Sequence, residues 1–180
     1  MPFGGVYDSR LFRRDFWWVK HSKSHVVTTL PGYELKFNDT VAGTLEQPSF
    51  WSCKIVATTR TGSWLFRRAG FFNTGAEILD AATQQLVATL KNSWGGPATL
   101  SFADGQTFLI KARGLWHPVW SITTEDGRAV LQSHKREKRV EVANEAGITD
   151  DRLTLLMLFA LYRIWQAEQD ASAAAVVATS

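Results

Sequence analysis

Between about residue 30 and residue 143, apolar and polar side chains alternate in short runs, the pattern of strands with one buried face. Ala98-Thr99-Leu100-Ser101-Phe102 shows it most clearly. Cys53, Ile55 and Ala57 alternate with Lys54, Val56 and Thr58, and Leu86, Ala88 and Leu90 with Val87, Thr89 and Lys91. Trp116, Pro118, Trp120 and Ile122 share a face, and Pro118, lacking an amide donor, belongs at an edge or bulge. Val140 and Val142 flank Glu141 in a last short strand. Asp104-Gly105 and Asp126-Gly127 sit between alternating runs and supply the positive φ of tight hairpins. Trp94-Gly95-Gly96-Pro97 is a looser connection. Strands at this spacing predict an all-β meander that closes into a sandwich or barrel.

A weak internal repeat places Ile78, Asp80, Leu86 and Val87 against Ile122, Thr124, Val130 and Leu131, with Thr83 where Gly127 stands. It reads either as two similar hairpins or as chance likeness between hairpins. The end of the chain breaks the alternation. Leu153 to Tyr162 has no polar face; Thr149 is placed to cap a helix, Asp150 and Asp151 suit its positive pole, and Ile148 can staple onto Leu153. A helix over about 150–168 is expected, followed by a frayed tail over 171–180. A helix that is apolar on all sides must be enclosed. At about 1.5 Å per residue the run is about half as long as a bilayer core of about 30 Å, so no transmembrane segment is expected. Enclosure by sheet remains. The predicted fold is α+β and mostly β: a closed antiparallel barrel of about twelve strands around a buried hydrophobic C-terminal helix. Residues 1–28 would form an arm packing on a barrel of residues 29–170.

The residues Glu77-Ile78-Leu79-Asp80, Leu86-Val87-Ala88-Thr89-Leu90, Trp120-Ser121-Ile122 and Glu125-Asp126-Gly127-Arg128, followed by an apolar helix, resemble the tubby-like C-terminal superfamily. That group includes LURP-one-related proteins and phospholipid scramblases. The resemblance covers about residues 30–168 and rests on apolar patterns and Asp-Gly turns. It implies a twelve-stranded barrel around a hydrophobic helix. Tubby-type domains bind phosphoinositide headgroups through exterior basic side chains, scramblases are associated with calcium-dependent lipid movement, and LURP-one-related members mostly lack an assigned activity. No tubby lipid-ligand motif matches here residue by residue. Asn144, Glu145, Asp150 and Asp151 occupy the place of the scramblase calcium segment, but not with the spacing of a calcium loop. The polar, Cys-rich N-terminal extension of the scramblases has no counterpart.

Composition sharpens the functional reading. The 180 residues carry a net charge of +3, with eight Trp and eleven Phe. Arg10, Arg13, Arg14, Lys20 and Lys23 against Asp8 and Asp15 place the whole excess within residues 1–28. Phe12, Phe16, Trp17 and Trp18 interleave with these cations, which suits an anionic membrane interface. Single-stranded nucleic acid could use the same parts by stacking, though less naturally, and a strand with solvated charges is the plain alternative. The candidate lipid- or anion-binding residues are Arg13, Arg14, Lys20, Lys23, Arg67, Lys135, Arg136, Lys138 and Arg139, with Phe16, Trp17 and Trp18 as interface aromatics. Arg68 could aim inward at a barrel mouth.

Enzyme chemistry finds no foothold. Cys53 reads as a buried thiol, His21 and His25 have no third ligand, and His117 and His134 fall in strands. Gly95-Gly96 lacks the Lys-Ser/Thr of a phosphate loop. No catalytic residue, metal or cofactor is expected. The sequence predicts a non-catalytic, monomeric barrel, cytoplasmic or peripheral to a membrane, that binds an anionic phospholipid. A scaffold binding a protein partner and a scramblase-like lipid handler are the alternatives.

Overall fold

The computed structural model describes residues 16–21, 32–37, 40–49, 54–69, 75–93, 96–114, 119–134, 139–143 and 145–178. Among these residues, twelve strands precede one helix. The strands are β1 (Phe16–His21), β2 (Gly32–Phe37), β3 (Thr40–Glu46), β4 (Lys54–Thr59), β5 (Ser63–Ala69) and β6 (Gly75–Asp80), then β7 (Leu86–Lys91), β8 (Ala98–Phe102), β9 (Thr107–Arg113), β10 (Val119–Thr124), β11 (Ala129–His134) and β12 (Arg139–Val142). The helix α1 spans Asp150–Ala178.

From β2 to β12 the strands form one large antiparallel sheet in sequence order, each paired with the next. β1 pairs with β2 from Trp17–Lys36 to His21–Gly32, and with β12 through Phe16–Val140 and Trp17–Arg139. Residues 16–21, within the arm expected to pack on the barrel, are a strand of the sheet. The strands place alternate side chains inside, as at Ile55 and Ala57, Ala88 and Leu90, Leu100 and Phe102, and Trp120 and Ile122.

Three hairpins carry the same irregularity. Register slips after Leu35 in β2–β3, after Ile78 in β6–β7 and after Ile122 in β10–β11, leaving Ala42, Val87 and Val130 as the extra residues. The carbonyls of Val87 and Val130 each accept a bond from the residue following a strand, Ala103 at 2.9 Å and Ala143 at 3.0 Å. The hairpins holding Ile78 and Ile122 are thus alike in structure. Their turns differ by one residue: Asp80 N donates to Gln85 O, whereas Thr124 N donates to Arg128 O. The left-handed position is therefore Gln84 (φ 60°) in one and Gly127 (φ 87°) in the other. Thr83 is not the counterpart of Gly127.

α1 starts where Leu153 N donates to Thr149 O at 2.8 Å, and Ile148 joins the core beside it. It runs ten residues past the expected end at 168. Ala171 and Ala173 to Ala175 are the reason, since alanine is the best helix former and the stretch contains no Gly or Pro. Leu153, Leu155 to Tyr162, Ile164 and Trp165 are all buried. The helix touches β3 and β11 and, more lightly, β2 and β4, so the sheet curls about it. Gly43 permits the closest approach: a Cβ there would meet Leu158 Cδ1 and Thr58 O, each at 3.1 Å. Phe66, Phe159, Tyr162 and Trp165 form an aromatic column along the helix, with successive centroids 5.9, 5.9 and 6.0 Å apart. No helix among the described residues is long and apolar enough to cross a membrane.

A basic exit end as the candidate functional site

The meander decides which side chains share an end. Odd-numbered strands and α1 run one way, and even-numbered strands run back. The tight turns of the even–odd hairpins lie beside the start of α1, at what we call the turn end. The helix leaves past the other rim, the exit end.

At the turn end, among the described residues, the acids Asp80, Asp104, Glu125, Asp126, Glu145, Asp150 and Asp151 outnumber Lys36, Arg60, Arg128 and Arg152. Most of these acids have local partners. Asp80 Oδ1 accepts from Thr83 N at 2.7 Å, Thr83 Oγ1 at 2.9 Å and Ala82 N at 3.0 Å. Asp104 Oδ2 meets Arg152 Nη2 at 2.6 Å, and the same guanidinium lies 3.8 Å above the Phe102 ring. Asp126 takes Arg128 Nε at 2.8 Å together with the Thr124 hydroxyl. Glu145 Oε2 accepts from Ala129 N at 2.9 Å. The Thr83 amide lowers the pKa of Asp80, the Arg152 hydrogen bond that of Asp104, and the Thr124 hydroxyl that of Asp126.

The exit end has the opposite balance. Among the described residues, Lys20, Lys54, Arg67, Arg68, Lys91, Lys111, Arg113, Arg139 and Arg163 outnumber Glu46, Glu77, Glu141, Glu168 and Asp170 on the exit-side half. Arg67 Nη2 pairs across the sheet with Glu77 Oε2 at 2.6 Å. Arg68, one residue on, faces the helix instead and meets Asp170 at 2.5 Å. Tyr33 Oη donates to Glu168 Oε2 at 2.5 Å. Burial first, then the bond to Glu168 and its charge, push the Tyr33 phenol far above its ordinary value. Arg163 Nη1 donates to Gln166 Oε1, and Gln166 Nε2 to Tyr162 Oη, both at 2.8 Å. Arg163 Nε and Trp165 Nε1 are buried without a hydrogen-bond partner.

Three of the cations proposed from sequence fall at this end: Lys20 opposite Tyr33, Arg67 opposite Lys54 and Glu77, and Arg139 opposite His134 and Trp17. Trp18 stands opposite Leu35, and Phe16 opposite Val140. Arg13, Arg14, Lys23, Lys135, Arg136 and Lys138 lie outside the described residues, as do Cys53, His25, His117 and Pro118. The structure brings in Arg68 and Arg163 as well. In the sequence Arg163 stands near the expected end of the helix, where a cation suits the negative pole. The signal available was a lone cation in an otherwise apolar run. No protein-family model, curated protein or solved structure matches the chain.

Proposed function

We propose that the chain is a non-catalytic, tubby-like closed barrel, peripheral to a membrane, that binds an anionic phospholipid surface through its exit end. The observation that carries the reading is the segregation of charge, with surplus cations around the rim where the helix leaves and surplus acids at the other. A surface of one sign attracts a membrane of the other and orients the protein as it approaches. Closure is supported by β1, which pairs with both β2 and β12, and by a helix buried on every side. Phe16, Trp17 and Trp18 begin β1 on the turn-end side, so the reading rests on the cations and not on these residues.

Co-sedimentation with vesicles tests it. The full chain should pellet with phosphatidylcholine vesicles containing phosphatidylserine and not with phosphatidylcholine alone. Binding should fade as salt shortens the screening length from about 10 Å at 0.1 M towards about 3 Å at 1 M. Equal and salt-insensitive binding to both vesicle types, or binding to neither, would overturn the reading.

A further inference from the structure

Arg163 is the only charged side chain between Leu153 and Ala167, and its neighbours Tyr162 and Ile164 are fully buried. It bonds to the neutral amide of Gln166, and its Nε is covered without an acceptor. No carboxylate among the described residues forms an ion pair with it. A guanidinium in such surroundings is costly unless an anion meets it. Burial pushes its pKa below the ordinary value, and Arg68 and Asp170 both lie close enough to act on its charge. Asp170, seven residues and about two turns further along the same face of α1, is already committed: it holds Arg68 at 2.5 Å and is itself 62% exposed. Arg68 and Arg163 thus lie on one side of the helix, beside a displaceable carboxylate.

We propose that Arg68 and Arg163 together bind one phosphate group, monoester or diester, and that Asp170 occupies Arg68 as a built-in competitor in the free protein. This rests on the proposed lipid function and deepens it by naming the headgroup site. Guanidinium forks match phosphate oxygens two at a time, and partial burial strengthens the attraction. Displacing Asp170 loses little, because an exposed ion pair is weak. The Arg163 residue stays partly exposed, so a group arriving from the rim can reach its side chain.

The test uses the full chain with phosphatidylcholine vesicles doped with phosphatidic acid or phosphatidylserine. Arg68→Gln and Arg163→Gln should each weaken partitioning about tenfold, while Arg128→Gln, an equal charge change at the turn end, should alter it less than about twofold. Asp170→Asn should tighten binding about threefold or more, and the charge-matched Glu125→Gln should not. Inorganic phosphate at matched ionic strength, followed by tryptophan fluorescence, separates the sources. A response lost in Arg163→Gln assigns a soluble phosphate, and a response to vesicles alone assigns a lipid headgroup. If Arg163→Gln does not fold, Arg68→Gln and Asp170→Asn decide the matter, since Arg68 is only half-buried and Asp170 is exposed. Exit-end variants that behave like their turn-end controls would overturn the headgroup site and leave general lipid binding standing. A wild-type chain that ignores both vesicles and phosphate would overturn both.

Discussion

At the turn end Asp104 meets Arg152 at 2.6 Å and Asp126 meets Arg128 at 2.8 Å. At the exit end Arg163 has no carboxylate partner among the described residues, and Arg68 relies on an exposed Asp170. The first arrangement explains itself: short acids cap turns, and Arg152 ties the start of the helix to the β8–β9 hairpin. In the second, Arg68 also ties the helix to a strand, but through an exposed carboxylate, and Arg163 ties nothing by charge. A cation that interrupts an apolar run without a carboxylate partner among the described residues calls for a reason outside folding. The lesson of the comparison is that matched charges hold this structure together and unmatched ones point to its work.

The helix joins the two ends, and cutting its packing should have the largest effect. Phe159→Ala removes a fully buried ring 5.9 Å from those of Phe66 and Tyr162. It should cost about 3–5 kcal/mol in urea denaturation. A loss near zero would mean that the helix is not the buried link between the ends. Next comes a direct contrast of the two arginines. Arg152→Ala loses an ion pair and a ring contact and should destabilise by about 1–2 kcal/mol. Arg163→Met replaces an uncompensated charge with an apolar side chain and should be neutral or stabilising by about 1 kcal/mol. Equal losses for the two would erase the distinction.

The smallest effects should appear at the extremes of pH, one limb for each end. Asp80, Asp104 and Asp126 have lowered pKa values when folded, so the unfolded chain takes up protons first. Their contribution is present above about pH 4 and fades as pH falls through the folded values. Tyr33 is shifted upward, so the unfolded phenol loses its proton first. That contribution is intact below about pH 10 and fades as pH rises beyond it. Thermal melts across pH should show Asp104→Asn flattening only the acid limb and Tyr33→Phe only the alkaline one. The reverse assignment would show that the groups governing each limb lie elsewhere.

Much of this architecture is written locally. Asp104-Gly105 and Asp126-Gly127 announce their hairpins because a positive φ there needs glycine, and Gly105 has φ 90°. β8 follows from alternation, and β7 does from Ala88 onward, but the bulge at Val87 turns Leu86 outward, to 49% exposed. β5 departs from it: Phe66 faces the helix, while Leu65 on the other face is buried opposite its cross-strand partners Val56 and Leu79. The helix outran its expected length because its alanines resemble a loose tail when read only for polarity. The site was harder to read. Lys20, Arg67 and Arg139 share an end only through strand order, and Arg68 meets a partner 102 residues away. No window along the chain holds both.

The order of elements has a consequence for how the molecule is made. All the described strands precede the helix that packs against their buried faces. While the ribosome is still producing residues 150–165, the hairpins have local hydrogen bonds but nothing to bury their inner faces against. Nearest-neighbour ladders can form early, because each joins short stretches of chain. The greasy inner surface must nevertheless wait, shielded or at risk of sticking to other chains, until the helix emerges. Folding of this sheet therefore waits on the late docking of α1.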